Sequence, residues 1–117
     1  MTGYQNLEVW KKSMKLVTDV YLQVKALPKE ETYSLADQIR RSAVSIPSNI
    51  AEGSSRNSSK EFIQFLYIAL GSACELETQL LIAKNVGYIE SFHTVELELV
   101  AVKKMLNALI SSLKRSK

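Results

Sequence analysis

Cysteine and histidine are almost absent from this 117-residue chain, which has one of each, Cys74 and His93. A single cysteine cannot form an internal disulfide, and this pair cannot supply the four ligands of a structural zinc site. Glu90 and His93 have a spacing that suits two metal ligands on one helical face, but a ferritin-like di-iron site needs that motif twice. We therefore expect no metal, no cofactor and no catalytic residues. Cys74 is expected to stay a reduced thiol in a helix interior.

Glycine and proline are also scarce, at four and two residues, and an all-β chain would need more of both for its turns. Glu75 and Glu77 interrupt the longest apolar stretch, so no segment is expected to cross a membrane. The N-terminal residues contain no apolar stretch of the signal-peptide type. We expect a cytoplasmic protein with no membrane partner.

The chain does have four segments in which apolar residues alternate at spacings of three and four, the period of one face of an α-helix. Because 46% of the residues are hydrophobic, one domain spanning residues 1–117 can bury a core of its own. Short connections and a 3.5-residue period predict an all-α, antiparallel, up-down-up-down, left-handed four-helix bundle. The four predicted stripes are Leu7, Trp10, Met14, Val17, Tyr21 and Val24; Leu35, Ile39, Ala43, Ile46 and Ile50; Phe62, Leu66, Ala69, Ala73, Leu76, Leu80 and Ala83; and Phe92, Val95, Leu99, Val102, Leu106, Leu109 and Leu113.

Local signals in and around the second segment predict how that helix begins, bends and ends. Ser34 is placed to cap the first turn. Pro47 lies inside the segment, where it removes one backbone donor, and we expect a kink there rather than an end. Gly53, followed by a polar run, is expected to end the helix.

The third segment is apolar on more than one face over residues 62–70, and Phe65 lies outside its predicted stripe. A helix that is apolar nearly all round is buried on more than one side. Because the other helices of one chain cannot cover it completely, we expect contact with another copy. Gly71, in the middle of this helix, costs about 1 kcal/mol relative to alanine, and we expect it to permit close approach of a neighbouring helix.

The second segment has a polar face of mixed charge that has two interpretations. It is either a solvated helix surface or an ordered polar network at a subunit contact, where buried charges need partners. Glu75 and Gln79 share a face of the third segment and can join such a network. The residues of the polar face are Arg41, Ser45, Ser48 or Asn49, Glu52 and Arg56.

The formal net charge is +3, and residues 103–117 contain five basic residues, including Lys117, and no acidic one. Basic clusters of this kind are either ordinary solvated surface or sites that contact phosphates with little sequence specificity and a marked dependence on salt. Three functions are weighed: an oligomeric module that binds RNA or another nucleic acid; a scaffold that recruits a partner protein, with the charge incidental; and a metal enzyme, which the single histidine disfavours. The candidate nucleic-acid-binding residues are Lys11, Lys12, Lys15, Arg40, Arg56, Lys60, Lys103, Lys104, Lys114 and Arg115.

Several stretches of the sequence resemble the four-helix-bundle family named after proteins encoded in intervening sequences of 23S ribosomal RNA. The longest stretch is SIPSNIAEG at residues 45–53. Shorter ones are LEVW at 7–10, QIRR at 38–41, EFxxFLxIAxGS at 61–72 and ELETQL at 75–80. Together they fall between residues 7 and 80.

The resemblance implies a small bacterial bundle without enzymatic activity that assembles into a ring, usually a homopentamer. It also implies kinship with the accessory protein of diversity-generating retroelements, a basic pentamer that binds nucleic acid and a reverse transcriptase. The residues that match the family's motif positions are interpreted as structural or interfacial: Arg41, Asn49, Glu52, Gly53, Glu75 and Glu77.

Overall fold

A computed structural model describes residues 3–116. Over that range the chain forms four α-helices and no β-strand: α1 (Glu8–Val24), α2 (Leu35–Ser54), α3 (Ser59–Asn85) and α4 (His93–Arg115). Two short 3-10 helices, Tyr4–Asn6 and Lys29–Glu31, precede α1 and α2. Each α-helix packs against two others, most extensively α2 against α3, in a body of 47 × 22 × 21 Å. The all-α prediction with four helices is confirmed, and the helix contacts are those of a bundle.

Three of the four predicted stripes face the core. Leu35, Phe62, Leu109 and Leu113, which lie at the ends of their stripes, are partly buried. Ile110 is buried near the end of α4 although it lies outside the predicted stripe. The stripe residues that are fully buried are Ile39, Ala43, Ile46 and Ile50 of α2; Leu66, Ala69, Ala73, Leu76, Leu80 and Ala83 of α3; and Phe92, Val95, Leu99, Val102 and Leu106 next to and along α4.

The stripe predicted for α1 is wrong, because a neighbouring face of the helix is buried instead. Of the predicted residues only Val24 is buried, and Met14 and Tyr21 are 43% and 45% exposed. α1 carries two apolar stripes side by side, and the 3.6-residue period does not distinguish between them. The residues that α1 buries are Val9, Ser13, Leu16, Val20 and Val24.

The start of α2 is stabilised by a residue other than the predicted cap. Ser34 occupies the N-cap position, but its hydroxyl donates to the Glu31 carboxylate, which also accepts the Leu35 N–H at 3.2 Å. The Tyr88 hydroxyl donates to the other Glu31 oxygen at 2.8 Å. These bonds, that of Ser34 first, lower the pKa of Glu31 because they favour its charged form.

Pro47 is buried within α2 and does not end it, since the helix runs on to Ser54. Proline has no N–H to donate to the carbonyl of Ala43, so one intrahelical hydrogen bond is missing at this point. The prediction that the second helix continues past its proline is confirmed.

α2 ends at Ser54, within the polar run that was predicted to close it together with Gly53, and Gly53 itself is the buried second-last residue of the helix. A Cβ at this position would come 2.6 Å from Cβ of Phe65 and 3.0 Å from Cδ1 of Phe62. The absence of a side chain therefore allows α3 to approach α2 closely. Gly71 is different, because a Cβ there would have no atom of a neighbouring helix within 4 Å. If Gly71 permits a close approach, the approaching helix belongs to another copy.

The ends of α3 follow well-known backbone patterns. At its start, the N–H of Glu61 donates to Oγ of Ser58 at 3.2 Å, as the capping-box spacing predicted. At its end, Gly87 has a φ of +90°. The N–H groups of Gly87 and Tyr88 donate to the carbonyls of Lys84 and Ala83 at 3.0 and 2.9 Å, which is the Schellman arrangement.

α3 is also the most apolar helix, with an 18-residue window whose mean hydropathy is 1.3 and of which 39% is buried. We expected no segment to reach this level. By length and composition such a helix could cross a membrane, but the core helix of a soluble protein meets the same criterion. Cys74, which was predicted to lie in the helix interior, is exposed. The inward positions of this turn are taken by Ala73 and Leu76.

Candidate subunit and nucleic-acid interfaces

The polar face of α2 meets α3 in a seam of neutral hydrogen bonds, which we call the neutral seam (Ser42, Ser45, Asn49, Ser72 and Gln79). The Ser42 hydroxyl donates to Oε1 of Gln79 at 2.8 Å, and the hydroxyls of Ser45 and Ser72 are 2.8 Å apart. Nδ2 of Asn49 donates to the carbonyl and the hydroxyl of Ser45 at 2.8 and 2.9 Å. Ser45 and Asn49, predicted for a network at a subunit contact, thus form a network inside one chain.

Arg41 and Glu75 lie at the outer edge of the neutral seam, where they line a small open cleft of about 200 Å³. Nε of Arg41 donates to Asp37 at 2.8 Å, one helical turn away. The Gln79 amide approaches Glu75 at 3.5 Å, and Glu75 makes no ion pair among residues 3–116. Both residues remain accessible to a further partner.

Glu52 and Arg56 form an ion pair at the end of α2. The guanidinium of Arg56 also lies 4.9 Å from the centre of the Phe65 ring. Phe65 in turn is the side chain that Gly53 accommodates. Four residues that were predicted to be interfacial or to bind nucleic acid are therefore combined in one contact between α2 and α3.

Two of the predicted nucleic-acid-binding lysines are held by acidic residues of another helix. Nζ of Lys103 is paired with Glu77, which joins α4 to α3. Nζ of Lys15 lies 2.9 Å from Oε2 of Glu98 on α4 and 2.8 Å from Oδ2 of Asp19. A lysine with such partners is less available to a phosphate, since the carboxylates already compensate its charge.

Lys15, Asp19 and Glu98 form a second polar seam, between α1 and α4, which we call the charged seam. Glu98 is buried, with 6% of the residue exposed. Burial raises the pKa of Glu98, and the neighbouring Asp19 raises it further. The hydrogen bond from Lys15 lowers the pKa of Asp19, and the two carboxylates raise the pKa of Lys15.

Sequence reasoning missed Asp19 and Glu98 as site residues. One signal could have indicated Glu98: it lies three residues after Val95 and four before Val102, both members of the predicted stripe. An acid at such a position lies beside the buried face of its helix. Asp19 offered no comparable signal, because it becomes part of the seam only through the packing of α1 on α4.

Most of the remaining predicted lysines and arginines gather at one end of the bundle, the basic end (Lys11, Lys12, Arg56, Lys60, Lys114 and Arg115). Several contacts bring the corresponding parts of the helices together. Nζ of Lys114 near the end of α4 donates to the Tyr67 hydroxyl in the first half of α3 at 2.8 Å. Leu7 and Val9 at the start of α1 share a surface groove with Leu109 of α4.

Acidic partners at the basic end are few. Glu8 pairs with Lys11 at 3.3 Å, and Glu52 pairs with Arg56. Lys117, which was counted in the same charge cluster, lies outside the described residues. Within residues 3–116, four of the basic-end residues make no ion pair: Lys12, Lys60, Lys114 and Arg115.

Arg40 and Lys104 lie away from the basic end. Nη2 of Arg40 donates to the Thr32 carbonyl at 2.9 Å, and the residue lines an open groove of about 430 Å³ together with Tyr21 and Arg41. Lys104 is exposed on α4. The structure therefore separates these two from the largest group of predicted phosphate contacts.

The apolar stripe that α1 leaves outside the core lines a groove of about 350 Å³ against α2, the α1–α2 groove. Its walls are mainly apolar, and Val44 continues it into the groove beside Arg40. The outer side of α3 is apolar too, with Tyr67 and Ile68 46% and 51% exposed. The residues of the α1–α2 groove are Tyr4, Trp10, Met14, Val17, Val44, Pro47, Ser48 and Ala51.

Comparison with known proteins identifies relatives but no established activity. A family model described as 23S rRNA-intervening sequence protein matches residues 5–108. The chain is similar to the crystal structure of a protein of unknown function from the S23 ribosomal protein family of Bacteroides thetaiotaomicron. The two share 30% sequence identity with a TM-score of 0.79, over 87% of this chain and 97% of the other. No curated protein matches the chain.

Proposed function

Because the chain belongs to the 23S rRNA-intervening sequence protein family, we propose that it acts as a non-enzymatic homo-oligomer that binds RNA through its basic end. The main support for RNA binding is the cluster of basic side chains at that end. Six basic side chains lie there with three acidic ones, Glu8, Glu52 and Glu61. A surface of this kind attracts phosphates without reading base sequence.

The relative directions of the helices explain why the cations gather. We expect consecutive helices to alternate in direction with a left-handed crossing, and α2 to bend at Pro47. Alternation is supported by the grooves that bring the start of α1 beside the later half of α2 and the end of α4. With this arrangement each copy presents two helix starts and two helix ends at the basic end, and an oligomer multiplies the resulting field.

The oligomer is supported by apolar surface that one copy does not cover. We propose that the α1–α2 groove of one copy receives the outer side of α3 from the next, and that five copies close a ring, as the resemblance implies. Ile68 and Glu75 are seven residues apart on α3, and Pro47 and Arg40 are seven apart on α2. Both spacings correspond to about 10 Å along a helix. An α3 laid in the groove can therefore bring Ile68 to the apolar section and Glu75 to Arg40, which has no acidic partner of its own among residues 3–116.

The RNA proposal is tested by titrating a structured RNA at two salt concentrations. Replacing Lys60, Lys114 and Arg115 by alanine should weaken binding and reduce the slope of log K against log salt by about 2, since each lost phosphate contact contributes roughly 0.7. The matched control replaces Lys25, Lys29 and Lys84, which are exposed near the opposite end. A role for the basic end would be contradicted if the two triple variants weakened RNA binding equally. It would also be contradicted if the RNA affinity of the wild-type protein did not depend on salt concentration.

The interface is tested by sedimentation of charge variants at a fixed protomer concentration. Glu75→Arg and Arg40→Glu should each reduce the oligomer, and the double variant should restore it, because the exchanged charges again attract. Met14→Glu should also dissociate it, whereas Leu22→Glu, at a more exposed apolar position outside the groove, should not. A wild-type protein that sediments as a single protomer at high concentration would reject the oligomer itself.

A protein-interaction scaffold is the alternative, and the α1–α2 groove favours it. The groove contains an edge-to-face aromatic pair, Tyr4 and Trp10, with ring centres 5.2 Å apart, and aromatic residues are common anchors of protein interfaces. If RNA does not bind and nuclease-treated protein retains one stoichiometric partner that Met14→Glu releases, the scaffold replaces the RNA-binding proposal.

A further inference from the structure

A buried carboxyl group in the charged seam has no role in RNA binding or assembly as proposed above. Glu98 receives a hydrogen bond on Oε2 from Nζ of Lys15 at 2.9 Å. Its other oxygen, Oε1, is buried without any hydrogen-bond partner among the residues the structure describes. A buried charged group with an unmade hydrogen bond is destabilising, because water satisfied that bond in the unfolded chain.

The charged groups that act on Glu98 come from α1. Lys15 supplies one positive charge, and Asp19, whose Oδ2 lies 2.8 Å from the same Nζ, supplies a second negative charge. On α4 itself the residues one turn away are uncharged, namely Thr94, Val95, Ala101 and Val102. The ion pair of Glu77 and Lys103 lies between α4 and α3, and neither member acts on Glu98. The seam therefore contains two carboxylates for a single ammonium group.

We propose that Glu98 is a proton-binding site that strengthens the contact between α1 and α4 when the pH falls. The proton comes from solvent and attaches to a Glu98 carboxyl oxygen, while Lys15 remains charged and paired with Asp19. Taking up the proton removes the surplus negative charge and makes the carboxyl group a donor. The pH at which the protein is assayed would then change how firmly α1, and with it one wall of the α1–α2 groove, is held to the bundle.

The sign of the pH dependence follows from the direction of the pKa change. The pKa of Glu98 is raised above its ordinary value of 4.5, so its contribution to stability is fully present below pH 4.5. That contribution is lost as the pH rises through the pKa of the folded protein. Asp19 acts in the opposite sense, but its lowered pKa places that effect below its ordinary value of 3.8. Above pH 4.5 the effect of Glu98 is therefore the one that remains.

The direct test is a carbon-13 NMR titration of the Glu98 side-chain carboxyl group in the full-length protein. We expect its midpoint to lie above 4.5, the ordinary value for a glutamate. Asp19→Asn should lower the midpoint and Lys15→Met should raise it, because these variants remove a negative and a positive charge. A midpoint at or below the ordinary value, or one that neither variant moves, would overturn the proposal.

Thermal unfolding between pH 5 and 8 supplies a second measurement at constant protomer concentration. The melting temperature of the wild-type protein should fall over this range, whereas that of Glu98→Gln should vary less and be higher at pH 8. Glu77→Gln is the matched control, since it removes a carboxylate from a more exposed pair, and it should keep the wild-type pH dependence. If Glu98→Gln lowers the melting temperature equally at every pH, the residue is structural and the proposal fails.

Discussion

The neutral seam and the charged seam join different pairs of helices. They also differ in how their buried polar groups find hydrogen-bond partners. Between α2 and α3, hydroxyl and amide groups pair with each other, as in the 2.8 Å bonds of Ser42 with Gln79 and of Ser45 with Ser72. Between α1 and α4, two carboxylates share Lys15 and leave one oxygen of Glu98 unpaired. Neutral pairs need no counter-charge, so their stability is independent of pH, whereas the charged seam responds to protons.

The packing around the two seams differs in the same direction. α2 and α3 make the most extensive contact in the bundle and α1 and α4 the least extensive. At Gly53 the two backbones come so close that a Cβ would lie 2.6 Å from Cβ of Phe65. We infer that the pair of α2 and α3 is the rigid half of the protein and that α1 is its more adjustable element.

The largest expected loss of stability comes from disrupting the close contact between α2 and α3. Gly53→Ala should lower the free energy of unfolding by about 3 kcal/mol, near the upper end of the usual cost of overpacking, because the atom that it meets is a Cβ and cannot rotate away. Urea unfolding measures the change. The control is Gly71→Ala, where the new Cβ has open space and should raise the stability of the protomer by up to about 1 kcal/mol through helix propensity. Equal losses for both variants would contradict the close approach at Gly53.

A smaller effect is expected from breaking the neutral seam. Ser42→Ala leaves Oε1 of Gln79 without its donor at a buried position and should cost about 1–2 kcal/mol. Measured by urea unfolding at pH 5 and pH 8, the loss should be the same at both, in contrast to variants of Glu98. A loss that changes with pH would mean that the two seams do not differ as described.

The smallest effect is expected at the ion pair of Glu77 and Lys103. Both side chains are partly exposed, and pairs of this kind contribute about 0.2–1 kcal/mol. Lys103→Met should therefore reduce the free energy of unfolding by less than about 1 kcal/mol, and the reduction should shrink in high salt because salt screens exposed charges. An effect comparable to that of Gly53→Ala would show that α4 depends on this pair far more than its exposure indicates.

The rigid half was also the more predictable half. The stripes of α2 and α3, the capping of α3 by Ser58, the continuation past Pro47 and a polar network involving Ser45 and Asn49 all followed from residue spacing. Other details did not follow from spacing, among them that the network lies within one chain and that the neutral seam includes Ser72. The reason is that spacing along one helix shows which residues share a face but not which helix that face meets.

The packing of α1 and the ion pairs of α4 were predicted less well. The stripe assigned to α1 was wrong because Leu7, Trp10, Met14, Val17 and Tyr21 repeat as regularly as the residues that are buried. The candidate phosphate contacts at Lys15 and Lys103 looked equivalent to the others until the packing of the helices gave them acidic partners. Which cations remain without partners depends on which carboxylates the fold brings near, and that is a long-range property.

Amino-acid order alone was enough to specify four helices, their approximate ends and the inner faces of three of them, because each of these depends on interactions within a few residues along the chain. Packing decided which face α1 buries and that Asp19 and Glu98 belong to one seam between α1 and α4. It also decided that the close approach of two helices within the chain occurs at Gly53 and not at Gly71. Those outcomes depend on contacts between residues far apart in the sequence, whose energies exist only once the helices are side by side.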